Sequence, residues 1–501
     1  MKFLWSVKRP LVWAVCSLGA AGLGAQNLPR DEFYWLGQIN KASVVVNAQQ
    51  GLLQAQQAKH IANSLEQVLA DGQKDPTRRP RTVITFEPLL IRAGGQEVTL
   101  LHAGRSSQDM HATYRAAILR DETLQIYEQL LKVQNILWRL ASEHQATAVP
   151  NYTNGVAAQP NSYGHYLLGH AAGFERDAQR LRQALERLNR SPMGTTVLNG
   201  SSWPLNREKM AQYLGFPALV DNAYDASQIS SSEHPVELGA VLTAIALHIG
   251  HFVEDVMTQY AQPEPWIMLQ TGQGNTYVSS AMPQKKNPGL LNDTRRLAST
   301  TIALGQGPML RAHNIPPGMP DPKEVRDNSE MMRAGLQTLQ HFERVLLALR
   351  ISPERALQEL NNDWTASQEL ADVLMREHQL PFRLGHHFAS EVVDHAKAHG
   401  LKPSNFPYAQ ARLIYRETMA KDGRSGEFPL SEAQFRAALD PLHIIRQRAT
   451  SGGPQKAEMQ RMLERQQRLL QEQTQWLGQQ RERLSSSTAR LNADFAQFLV
   501  P

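Results

Sequence analysis

The sequence predicts a mostly α-helical protein: a core bundle of long helices, with smaller helical domains at its N- and C-terminal ends. Three observations predict it. Aromatic residues are only 7% of the 501-residue chain, while Leu, Ala, Gln, Arg and Glu dominate, which favours helix over sheet. Five separate stretches carry apolar residues at the three- and four-residue spacing of a helix face. The segments between them are rich in Gly, Pro and Asn, which end helices and make turns.

The first element is a leader. Lys2, Lys8 and Arg9 form a basic start, Leu11 to Leu23 a short apolar stretch, and Ala20, Ala21, Gly24 and Ala25 offer the small residues of a cleavage site. The apolar stretch is shorter than the roughly 20 residues of a spanning helix. We therefore expect residues 1–25 to be a signal peptide, the product to be periplasmic or secreted, and no stable membrane anchor to remain. The only cysteine, Cys16, lies in the leader, and Trp13 and Val15 before it make a poor lipidation site. A mature chain without thiols suits an oxidising compartment. No later segment reads as long and apolar enough to span a bilayer. The formal net charge is +5, and losing Lys2, Lys8 and Arg9 leaves +2. That is too mild for a nucleic-acid binder, and no basic stripe is interleaved with aromatics.

An N-terminal domain is expected over 26–104. Within it Lys74 to Arg81 reads as a loop, and Thr82 to Thr99 alternates enough to allow short strands. The bundle is expected over 105–356, with helices over Ser107–His144, Tyr166–Leu188, Val236–Tyr260, Leu290 to about Leu310, and Val325–Leu349. A C-terminal helical domain follows over 357–455. The tail, 456–501, carries a Leu/Met stripe on a Gln/Arg/Glu-rich helix. It reads either as a short coiled coil or as a helix lying on the body.

Chemistry concentrates in one run, Val278-Ser279-Ser280-Ala281-Met282-Pro283-Gln284-Lys285-Lys286-Asn287-Pro288. It sets two hydroxyls, two ammonium groups and an amide between two prolines. Gly272, Gly274 and Asn275 upstream allow a mobile approach. Such a loop can aim hydroxyls and backbone N–H groups at an anion while a lysine neutralises it. The run closely resembles the GSSxMPxKxNP signature of the aspartase/fumarase superfamily in its argininosuccinate lyase branch, with Val278 in place of the leading Gly. The resemblance extends from about Ile39 to Leu470. Its other elements are Leu101-His102-Ala103-Gly104-Arg105-Ser106-Ser107-Gln108-Asp109 and Pro150-Asn151-Tyr152-Thr153-Asn154, the latter followed by Ala158-Gln159-Pro160.

The resemblance implies a homotetramer whose sites combine the three elements from different subunits, and a fumarate-forming C–N lyase acting on a small-molecule dicarboxylate without a cofactor or metal. A base removes a proton next to a carboxylate, the resulting dianion is stabilised, and the C–N bond breaks. By resemblance Ser279 is the base, and Lys285 and Asn287 hold the carboxylate that gathers charge. Ser106 and Thr153 hydrogen-bond the succinyl carboxylates. Ser280, Gln108, Asn154 and Lys323 complete the implied substrate contacts. Arg105 pairs either with a substrate carboxylate or with a neighbouring acidic side chain.

The departures lie on the amine side. The family's proton-relay His falls on Asn154 and its partner Glu on Asn292, and an amide cannot act as a general acid. Ile315 and Pro320 replace a Tyr and a Gln, and Ser107 and Gln108 alter the guanidinium contacts. Argininosuccinate is the family's default substrate. Another N-succinyl amine, of aminopolycarboxylate type, is the alternative, and a periplasmic binding protein for succinyl compounds is the rival from another class. His165 is a distant candidate for a replacement acid. His248, His251 and Glu254 share a helix face but read as structural rather than metal-binding, and His386 and His387 point to different faces. No P-loop and no cysteine cluster is present.

Overall fold

The computed structural model describes residues 30–499, so the leader lies outside the described residues. Three helices come first: α1 (Glu32–Gln49), α2 (Ala55–Lys74) and α3 (Val83–Gly94). The expected strands over Thr82–Thr99 are instead α3 and a 3-10 turn at Gln96–His102. The reason is local. Thr82 caps the helix in a capping box with Thr85, and Val83, Phe86 and Leu90 fall on one buried face. Gly95, at φ 72°, ends it.

The bundle begins with α4 (Ser107–Glu143) and a hairpin of β1 (Ala148–Thr153) and β2 (Val156–Ser162). It continues through α5 (Tyr163–Leu188), the short α6 (Arg207–Tyr213), α7 (Ser230–Gln259), α8 (Gly289–Ala312) and α9 (Val325–Ala348). Helix α4 packs on α5 and α9, and α7 on α5 and α8. Helices α7 and α8 cross where Gly239 meets Gly305. A methyl on Gly305 would lie 2.7 Å from the Gly239 carbonyl, and one on Gly239 would strike the Gly305 carbonyl. One expectation needs correcting here: Asp225–Gln259 is long and apolar enough to cross a membrane. It is the central bundle helix, covered by α5, α8 and α9, and needs apolar residues on more than one face.

Beyond α10 (Pro353–Asn362), a second core forms around Leu370, Phe388, Phe406 and Phe435 from α11 (Ser367–His378), α12 (Phe382–Ala398), α13 (Tyr408–Lys421) and α14 (Glu432–Ala438). After α15 (Pro441–Gln447), α16 (Lys456–Ala496) lies along the body against α4, α1, α6 and α5. Its stripe Met459, Leu463, Leu470, Leu477, Leu484 and Leu491 is buried there, so within the chain it is the helix lying on the body.

The long helices run up and down, which gives the bundle two chemically distinct ends. The Asp109 carboxylate, near the start of α4, reaches the backbone just beyond α5. The Tyr166 hydroxyl, at the start of α5, reaches Asp255 near the end of α7. Lys323, between α8 and α9, bonds the turn before α7. Helix α4 alone is 37 residues, which at about 1.5 Å per residue separates the two ends by about 55 Å.

Candidate active site

Ser106 caps α4 at one end. Its Oγ accepts from Gln108 N at 3.0 Å, while its own N–H donates to Asp109 Oδ1 at 2.9 Å. The other Asp109 oxygen accepts from Gly194 and Thr196 N–H at 2.9 and 3.2 Å, tying the loop after α5 to this cap. Burial pushes the Asp109 carboxyl up to about 6. Arg105 is buried, donates to Ser43 Oγ on α1 at 3.1 Å and has Asp109 and Glu87 as its charge partners. Burial lowers it to about 10. Of the two roles left open for Arg105, the geometry is that of an anchor inside the chain. Lys323 is also buried. Its ammonium donates to Ser227 O at 2.9 Å and lies 3.4 Å from Gln228 Oε1, and desolvation, with Arg115 nearby, lowers it to about 8. Ile315 and Pro320 lie in the loop beside it.

Thr153 and Asn154 lie at the opposite end, at the tip of the β1–β2 hairpin. Thr153 pairs with Val156, leaving Asn154-Gly155 as a two-residue turn. Both have positive φ, 53° and 76°, as a type I′ turn requires. Thus Asn154 is suited to its backbone position as well as differing from the family's histidine. Thr153 is exposed and free to meet a ligand or another chain.

The Ser279 loop lies at this same end, between α7 and α8. Tyr277-Val278 pairs with Lys286-Asn287 and the loop closes through Ser279 N to Lys285 O at 3.0 Å. Its base is pinned by Asn275, which is buried and whose carbonyl accepts from Leu290 N at 3.0 Å. Ser279 Oγ accepts from Ala281 and Met282 N–H at 3.4 and 3.3 Å. Ser280, Lys285 and Lys286 are exposed and Asn287 half-buried. Asn292 is on the first turn of α8. One chain therefore places Thr153, Asn154, Ser279 and Lys285 at one end of the bundle, and Arg105, Ser106, Gln108 and Lys323 at the other. It does not unite the two sets.

His248 Nδ1 lies 2.6 Å from Asp177 Oδ2, an inter-helix pair. Among the described residues no cluster of three or more His, Cys, Asp or Glu forms a metal site. His165 Nε2 contacts the Gly452 carbonyl at 2.8 Å and its Nδ1 is buried without a partner.

The sequence pattern of a family described as Lyase matches residues 24–302, and that of the Argininosuccinate lyase C-terminal family matches 364–446. This chain is an argininosuccinate lyase-like member of the aspartase/fumarase superfamily. It is 28% identical over 440 residues to the argininosuccinate lyase of Methanosarcina acetivorans, covering 85% of each chain. To that of Methanothermobacter thermautotrophicus it is 26% identical over 426 residues, covering 83% of this chain and 88% of the other. An EDDS lyase solved with formate shares the fold at TM-score 0.84 and 24% identity, covering 93% of this chain and 92% of that one. A class II fumarase from Schistosoma mansoni does so at 0.66 and 14%, covering 83% and 91%.

Three features of this lyase-family chain escaped the sequence reading. The Asn154-Gly155 pair is a strong hairpin signal, masked by Pro150 and Pro160 in the flanking strands. Asp109 stood in the first motif, but its carboxylate's hold on Gly194 and Thr196 depends on contacts distant in sequence. The partners of Lys323, Ser227 and Gln228, are likewise some 95 residues away.

Proposed function

We propose that this protein eliminates an amine from an N-substituted aspartate, releasing fumarate, with Ser279 as the base. The observation that carries the reading is the setting of Ser279 Oγ: two backbone N–H groups point at it on a lysine-bearing loop. Donors aimed at an oxygen favour its charged form, which is what a serine base needs. The alkoxide takes the proton from the carbon beside a carboxylate. Lys285 and Asn287 stabilise the dianion. The C–N bond then breaks, its electron pair leaving with the nitrogen. A nitrogen that arrives protonated departs as a neutral amine, so Asn154 and Asn292 need supply no proton. This suits basic alkylamines, while the arginine-derived group is disfavoured because Ile315 and Pro320 offer it no side-chain hydrogen bonds.

Ser106 and Thr153 are proposed to hold the succinyl carboxylates. Because they stand at opposite ends of the bundle, the complete site requires several subunits, and we propose a homotetramer. Exposed Leu247, Met309, Leu310 and Leu347 on the bundle helices and Tyr277, Val278 and Met282 on the loop supply apolar surface for it. We further propose export with cleavage near Ala25, checked by the mass of the mature N-terminus.

The test of the lyase reading is Ser279→Ala. Fumarate release is expected to fall by at least 10²–10⁴-fold while ligand binding is nearly unchanged. Undiminished turnover would remove Ser279 from the role.

A further inference from the structure

A cavity of about 350 Å³ opens between the hairpin and the segment leading to the Ser279 loop. Thr153 is at its lining, and Tyr152, Tyr163, Tyr166 and Trp266 form aromatic walls. Tyr163 stacks on Tyr166 at 5.5 Å between ring centroids and meets Trp266 edge-on at 5.6 Å. Three of the four polar tips are engaged. Tyr152 OH bonds Glu359, Trp266 Nε1 donates to Tyr152 OH at 3.1 Å, and Tyr166 OH donates to Asp255 at 2.7 Å. The fourth is not: Tyr163 is 1% exposed and its hydroxyl has no partner among the described residues. Leaving a buried hydroxyl unpaired is costly, so such a group marks a place where something else bonds.

The charge of the lining selects the ligand. Asp255 is its one carboxylate, no Lys or Arg contributes among the described residues, and the one imidazole, His165, is tied through Nε2 to the Gly452 carbonyl with its Nδ1 unpartnered. A dicarboxylate would find no Lys or Arg here. An ammonium would find a carboxylate and the negative faces of aromatic rings, and an apolar body would find walls that replace water. We propose that this cavity receives the amine half of the substrate, a cationic amine with an aryl or branched alkyl body, while Thr153 at its mouth holds the succinyl half. The inference rests on the lyase reading and adds the class of amine.

The test uses the full mature chain, with phenethylammonium as the binding probe and the aspartate bearing that amine on its nitrogen as substrate. Three variants are compared with the wild type. Asp255→Asn removes the charge and Tyr163→Phe the unpaired hydroxyl. Gly169→Phe inserts a ring at the lining, at a position where an added Cβ meets no heavy atom within 4 Å. At least a tenfold loss of both phenethylammonium binding and kcat/KM is expected for Asp255→Asn and Gly169→Phe, with a smaller loss for Tyr163→Phe. Inhibition by fumarate and Tm should be unchanged. If those two variants keep kcat/KM for this substrate within twofold while fumarate is released, the amine lies elsewhere and only the cavity assignment falls. If wild-type protein releases no fumarate from any N-succinyl amine, the lyase reading fails and takes the assignment with it.

Discussion

At the scale of single residues, Lys323 is the group whose environment most alters its chemistry. Burial brings its ammonium from 10.5 to about 8. Between those values the unfolded chain binds more protons than the folded one, so this group's contribution makes stability rise as pH rises through the window. Around pH 8 the folded protein loses a positive charge at the end of the bundle that carries Ser106. The KM for a dicarboxylate substrate is expected to climb between about pH 7 and pH 9. Lys323→Met should start with the higher KM and show no such climb, and a KM series against pH decides it. Asn154 offers a second residue-scale test. Asn154→His together with Asn292→Glu is expected to raise argininosuccinate turnover more than either change alone, because the two act as a unit. The single Asn154→His change pays about 1 kcal/mol of left-handed strain, read as a lower Tm. The residues of the three signature elements were legible in the sequence because they are contiguous. Whether Arg105 turns inward was not, since Ser43 and Glu87 reach it only through the packing of α1 and α3.

At the scale of elements, the bundle helices were legible to within a few residues, except that α7 begins at Ser230, six residues before the expected start. Long runs of apolar residues at i, i+3 and i+4 leave little ambiguity. The stretch Thr82–Thr99 misled because a short β-branched and apolar segment fits either period, and only the Thr82 cap and the packing of Phe86 and Leu90 decide it. The α7–α8 crossing was equally hidden: two glycines 66 positions apart in sequence become neighbours in space. Gly239→Ala is expected to cost about 1–3 kcal/mol, because its methyl meets backbone rather than a movable side chain. Denaturant unfolding would register this as a lower midpoint at unchanged slope. Gly169→Ala, which meets open space, is the matched control.

At the scale of the whole molecule, the placement of Ser106 and Ser279 at opposite ends of the bundle has a direct test. Ser106→Ala and Ser279→Ala chains, each inactive alone, are mixed, dissociated and reassembled. Random assortment places an intact Ser106 and an intact Ser279 together in roughly a quarter of composite sites, so roughly that fraction of wild-type fumarate release should return. No recovery would mean that a single chain supplies both residues. This arrangement was legible only through resemblance. Composition and periodicity predict a bundle without saying which ends share a ligand.

The embrace of α1 by α16 bears on how the protein is made. Leu491 and Phe495 are buried, Tyr213 holds Asp494, and Lys41 of α1 reaches Asn492 at 3.3 Å and stacks over Phe495. The first described helix is thus sealed by residues 451 positions away in the sequence. Throughout elongation, part of the surface of α1 waits for a partner more than 400 residues downstream. Closure of this part of the fold must therefore wait until α16 has been made. Pairings so distant in sequence form slowly, and the surface of α1 that α16 covers stays open until then, a surface of the kind that a holding chaperone recognises.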